Sequence, residues 1–96
     1  MVRKQSVIWT GSAYKDLQHI VEYIQEDSMY YAIAFYNDII NKAQTLTIFP
    51  HRGRVVPELN NPHMREIFIH NYRLMYQIDD ENVFIISIVH DARKLK

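Results

Sequence analysis

The sequence predicts an α+β domain in the order β-α-α-β-β-β, with a helical hairpin packed on one face of a small, mainly antiparallel sheet. Three observations carry that reading. Apolar residues recur at helical spacing twice between Tyr14 and Leu46, they alternate with polar ones in three runs between Met64 and His90, and those three runs are joined by turn residues too few to hold crossover helices. A chain of 96 residues is one domain, spanning 1–96, able to bury a single core without a disulfide or structural metal.

Taken in order, Gln5 to Thr10 has strand character through Val7, Ile8 and Trp9, and Thr10-Gly11-Ser12 breaks it with cap-type residues. Leu17, Ile20, Val21 and Ile24 fall at i, i+3, i+4 and i+7, one apolar stripe of a first helix that should end near Glu26-Asp27. Ser28 offers a cap for a second helix, in which Ala32, Phe35, Tyr36, Ile39, Ala43 and Leu46 share a face while Ile33 and Ile40 lie off it. Phe49-Pro50 is expected to stop this helix. Pro50, Gly53, Pro57 and Pro62 then punctuate a loop of about 15 residues, long enough to be either functional or mobile. Strands resume at Met64 to His70, Tyr72 to Ile78 and Val83 to His90, with Asn71 and Asp79-Asp80-Glu81-Asn82 as turns. Alternation puts Tyr72, Leu74, Tyr76 and Ile78 toward the helices, so Arg73 should point to the opposite, partly open face, with Glu66 as a local counter-ion. Tyr36 and Tyr76 read as packing residues and Tyr72 as the more open one.

Composition excludes several classes of activity. Lysine plus arginine equals aspartate plus glutamate, 11 of each, so no global field steers the chain onto nucleic acid. The charge is nonetheless segregated: Lys15 and Lys42 face five carboxylates between Tyr14 and Gln44, whereas Arg52, Arg54, Arg65 and Arg73 face only Glu58 and Glu66 between His51 and Arg73. Cysteine is absent, which removes disulfides and thiolate chemistry and fits a reducing compartment. Val7-Ile8-Trp9 is too short an apolar run for a signal peptide or a membrane span, so a cytoplasmic protein is expected. The five histidines, His19, His51, His63, His70 and His90, show no metal-ligand spacing, and neither a metal nor another cofactor is expected. Two glycines are too few for a phosphate-cradling loop.

What remains is a cationic end of the sheet. Arg73 sits inside an apolar strand, and a guanidinium there needs an anionic partner. With Arg65, Arg93 and His90 it would suit phosphodiester chemistry, in which attack by a ribose 2′-hydroxyl builds charge on the phosphate and an imidazole moves the proton. In the plainer alternative His90 and Asp91 cap the strand and Arg93 pairs with an acidic neighbour.

Phe49-Pro50-His51-Arg52-Gly53-Arg54-Val55-Val56-Pro57-Glu58-Leu59, then Arg65-Glu66-Ile67, Tyr72-Arg73-Leu74-Met75-Tyr76 and Val89-His90-Asp91-Ala92-Arg93-Lys94-Leu95 resemble, in order and spacing, the RelE/ParE superfamily of bacterial toxin-antitoxin toxins. The resemblance spans nearly the whole chain and implies a helical hairpin on a small antiparallel sheet, and a cognate antitoxin partner in a toxin-antitoxin hetero-oligomer. It also implies one of two activities on that scaffold. RelE-like members cut mRNA in the ribosomal A site; there Arg73 matches the strand arginine that binds the scissile phosphate, Arg93 a second arginine, Arg65 an expected basic residue, and His90 the proton carrier. Ile67 departs from that pattern, where a second lysine is usual, and the chain reaches Lys96 without the C-terminal tyrosine. ParE-like members of the plasmid-stabilisation branch poison DNA gyrase without enzymatic chemistry, and the GR-x-x-PEL loop, Arg65-Glu66 and His90-x-x-Arg93 look closer to them, with Arg54, Arg65 and Arg73 as a binding surface. A third class is an interaction module that has lost toxicity. Antitoxins of this type lay an amphipathic segment on an apolar groove, for which Ile33 and Ile40 are the candidate contacts.

Overall fold

In a computed structural model, residues 5–91 are described. The elements are β1 (Ser6–Trp9), α1 (Gly11–Asp27), α2 (Met29–Gln44), β2 (Arg54–Val55), β3 (Met64–Ile69), β4 (Tyr72–Ile78) and β5 (Asn82–His90), with 3-10 turns at Thr45–Thr47 and Pro50–Arg52. The sheet runs β1-β5-β4-β3-β2. Only β1 and β5 pair in parallel, Ser6 opposite Asn82 and Trp9 opposite Ile85; the other pairs are antiparallel. The expected architecture is present with one added strand, β2, inside the segment expected to be loop.

Two hydroxyls set the helical layer. Thr10 Oγ1 accepts from the Ala13 N–H (3.2 Å), capping α1, and donates to the Ile85 carbonyl (2.8 Å), so the same residue ends β1 and fastens α1 to β5. Ser28 closes α1 through its N–H to the Ile24 carbonyl (2.9 Å) and opens α2 through Oγ to the Tyr31 N–H (3.2 Å). A single residue thus links the helices, which pack against each other. At the far end Thr45 Oγ1 donates to the Lys42 carbonyl (2.6 Å), and the chain tightens into a 3-10 turn. Helix α2 therefore ends at Gln44, short of Phe49-Pro50.

Burial follows the stripes with three corrections. Leu17, Phe35, Ile39, Ala43 and Leu46 are buried against Leu74, Tyr76 and Ile85 of the sheet, but Ile20, Val21 and Ile24 are only partly covered, and Ala13 joins Leu17 as the tightly packed part of α1. Tyr36 is exposed rather than packed (44%), because the buried stripe of α2 is centred on Phe35 and Ile39 and Tyr36 lies one helical step to its side. Ile33 is exposed as its position predicted, whereas Ile40 rests half-buried against the core.

Replacing Thr10 with valine keeps its shape but removes both hydrogen bonds. Stability to urea should fall by about 1–2 kcal/mol with an unchanged m-value. A loss below the error of the measurement would show that Thr10 does not couple the helix to the strand.

Candidate functional site

Register decides which side chains meet. Arg54 pairs with Glu66, Phe68 with Arg73 and Glu66 with Met75, so all five residues share the face of the sheet opposite the helices. There the Arg73 guanidinium is 4% exposed. Its Nε and Nη2 reach Glu66 Oε1 (2.7 and 2.6 Å), and its Nη1 and Nη2 donate to the two Glu58 oxygens (3.0 and 2.8 Å). The other Glu66 oxygen accepts from Arg54 Nε (2.6 Å), and Arg54 lies over the Phe68 ring at 4.9 Å. Two carboxylates thus neutralise two guanidinium groups. The fork from Glu58 is the main reason the Arg73 pKa rises above its ordinary value, against a lowering effect of burial.

The non-helical face is open in part, as expected, with Phe68 40% exposed, but it is closed around Arg73. Arg73 does point away from the helices, and Glu66 is its counter-ion as anticipated; but the chain folds back so that Glu58 covers the guanidinium, and Val56 and Met75 are buried as well. Glu58 is the residue that the alternation pattern missed. Its partner stands in a strand 15 residues away in sequence, and only tertiary approach brings them together.

The covering segment is pinned at four residues by two side chains of the sheet. The Tyr76 hydroxyl, at the centre of the core, donates to the Pro50 carbonyl (2.7 Å) and accepts from the Gly53 N–H (2.9 Å). Arg65 donates through Nε to the Pro62 carbonyl (3.2 Å) and through Nη1 to those of His51 (3.3 Å) and Gly53 (2.9 Å). A Cβ on Gly53 would fall 2.5 Å from both the Glu66 carbonyl oxygen and the Tyr76 hydroxyl, which only glycine avoids. This segment is a lid tied to the sheet by polar contacts, of which the bond between Gly53 and Tyr76 is buried.

His90 lies elsewhere. It pairs with Tyr72 and touches that ring edge-on at 5.4 Å, and Tyr72 in turn meets Phe35 at 5.2 Å. Tyr72 and Arg73 are consecutive in β4, so His90 and Arg73 project from opposite faces of the sheet. Arg65 is paired with Tyr76, four positions along β4 from Tyr72, or about 13 Å. Among the described residues, then, Arg54 and Arg73 come together, while Arg65 holds the lid and His90 borders a separate groove of about 710 Å³ lined by Asp16, His19, Ile20, Tyr23, Tyr72 and Ile88. Arg93 lies outside the described residues. No three histidine, aspartate or glutamate side chains among the described residues are placed to hold a metal, and no described helix is long and apolar enough to cross a membrane.

A family model for the ParE toxin of the type II toxin-antitoxin system parDE matches residues 7–95. Among solved structures, the chain is similar to one described as the chromosomal ParDE toxin-antitoxin system from P. aeruginosa, with a TM-score of 0.75 and 20% identity over 92% of this chain and 97% of that one. It is also similar to the RelBE2 toxin-antitoxin complex from Mycobacterium tuberculosis, with a TM-score of 0.57 and 23% identity over 91% of this chain and 98% of that one. At these identities the likeness concerns the fold. No curated protein sequence matches.

Removing Glu66 leaves the buried Arg73 with Glu58 alone and Arg54 without its carboxylate, so Glu66→Ala should lower unfolding free energy by about 3–5 kcal/mol. Glu58→Ala leaves that inner pair intact and should cost less than half as much in the same denaturant titration; equal losses would refute the division of roles between them. Burial also raises the Tyr76 pKa. A phenol whose folded pKa is raised contributes stability that is complete below its unfolded pKa of about 10 and is lost as pH rises through the folded value. Thermal melts between pH 8 and 11 should show a steeper alkaline loss in the parent than in Tyr76→Phe, which has no proton there to lose.

Proposed function

The chain belongs to the ParE family of type II toxin-antitoxin toxins, and from that membership we propose that it inhibits DNA gyrase without cutting RNA and is neutralised by a cognate antitoxin. The observation that carries the choice between the two activities of the superfamily is the saturation of Arg73. An endoribonuclease of the RelE kind needs a guanidinium available to a phosphate, with a proton carrier on the same side. Here the guanidinium is enclosed between Glu58 and Glu66, and His90 projects from the other face. In this reading Arg73 organises the lid rather than a reaction, and Arg54 and Arg65, both nearer the surface, are what the edge of the sheet offers a macromolecule. Gyrase as the target puts the action in the cytoplasm.

For the antitoxin, the outer side of α2 supplies the contact surface. Met29, Ile33 and Tyr36 stand at i, i+4 and i+7 and are exposed by 53, 55 and 44%, with Ile40 continuing the stripe into the core. An apolar stripe of this spacing suits an amphipathic helix laid alongside it. Ile33 and Ile40 are the contacts expected from the sequence; Met29 and Tyr36 extend that surface outward.

Co-expression with the small open reading frame beside this gene should restore growth and yield a stable complex, and Ile33→Asp should weaken that complex by at least about tenfold, or roughly 1.4 kcal/mol. Purified toxin should trap cleaved DNA in a gyrase supercoiling assay and leave mRNA intact on programmed ribosomes. Codon-specific mRNA cuts would instead establish the RelE-like activity.

A further inference from the structure

The edge of the sheet formed by β3 is only half covered. Strand β2 pairs with Arg65 and Glu66 and has no further residue, so from Ile67 to Ile69 strand β3 has β4 on one side and no described strand on the other. The direction of its backbone groups follows from its neighbours. The Met64 carbonyl accepts from Val56 on the outer side, and the His63 carbonyl accepts from Ile78 on the inner side. Alternation therefore aims the Phe68 N–H and C=O outward, where β2 has already ended. Open sheet edges of this kind are templates for another strand.

Two adjoining hollows flank this open stretch. One of about 240 Å³ is bordered by Lys42, Arg52, Arg54 and Phe68, and one of about 450 Å³ by Asn41, Lys42, Thr45, Arg52 and His70. Their carboxylates are already engaged: Glu66 by Arg54 and Arg73, and Asp38 by His70 Nε2 at 2.7 Å. The cations are not matched in the same way. Arg52 donates to the Thr45 hydroxyl (2.8 Å), and Lys42 lies exposed in the last turn of α2. The C-terminal end of α2 carries only about half a negative charge.

We propose that this edge is a second docking surface, taking an extended acidic segment of a partner protein that adds to β3 beyond the end of β2. The backbone of the segment would satisfy the Phe68 N–H and C=O, and its carboxylates would meet Lys42 and Arg52. The open main-chain groups select a polypeptide, since nucleic acid offers no strand to continue the ladder, and the cations select acidic side chains. This surface lies apart from the outer stripe of α2 and does not depend on the toxin assignment.

The test is an amide-detected NMR titration of the whole chain with a synthetic peptide of alternating glutamate and valine, taken to millimolar concentration at low salt. A single-stranded oligodeoxynucleotide of equal charge serves as the competing ligand. The proposal expects shifts and slowed hydrogen exchange at Phe68 with the peptide, weakened about tenfold or more by Lys42→Glu combined with Arg52→Glu and by 0.3 M salt. Phe68→Pro removes the outward donor together with the ring beneath Arg54 and should abolish the peptide-induced shifts at Ile67 and Ile69. If that variant fails to fold, the charge-reversed protein still decides the matter. Binding by the oligonucleotide but not the peptide would overturn the proposal, as would peptide binding insensitive to the charge reversal, or no binding by either.

Discussion

The buried contact between Arg73 and Glu66 is the constraint on which the non-helical face depends. A guanidinium inside a sheet is tolerable only if its charge is met and its donors are occupied. Glu66, fully enclosed, meets it from the neighbouring strand; Arg54 then answers the second Glu66 oxygen, and Glu58 answers the remaining side of Arg73. Each partner recruits the next. The result is a neutral four-residue cluster that closes the segment after Pro50 over the sheet, and the hydroxyl of Tyr76 and the guanidinium of Arg65 fix that segment from beneath and beside. Packing alone would not choose this arrangement, because Val56 and Met75 contribute apolar area without direction, whereas the ion pairs and the close approach of Gly53 to Glu66 specify one geometry.

That cluster also separates two properties: possessing an arginine in β4 and being able to use it on a phosphate. The residue type and strand position are those of the resemblance. What differs is access, since the donors are spent inside the chain. The proposal of a toxin that does not cut RNA therefore rests on access to Arg73 and not on its residue type.

Much of the architecture was legible because it is periodic. The α2 stripe through Phe35 and Ile39, the cap at Ser28 and the alternation in β3, β4 and β5 are local signals, and they emerge close to their expected bounds. The need of Arg73 for an anion was legible from its surroundings, and so was Glu66 as one source. Glu58 was not, since a loop carboxylate leaves no periodic trace, and neither was β2, whose two residues are too few to alternate. Grouping Arg73 with His90 overlooked a fact that register supplies: once His90 lies opposite Tyr72, adjacency of Tyr72 and Arg73 puts the two on different faces. Register is set by tertiary pairing. It cannot be read from either strand alone.

The parallel pairing of the first strand with the last has a bearing on how the protein is made. Thr10, which caps α1, finds its carbonyl partner on Ile85, 75 residues later in the chain. Until the ribosome has released the chain beyond that point, α1 lacks the strand to which Thr10 fastens it, and the apolar face of Leu17 stays incompletely covered. Contacts this distant also close slowly, because the loop entropy must be surrendered before they form. Until β5 has formed, the helical pair is therefore open to chaperones and proteases.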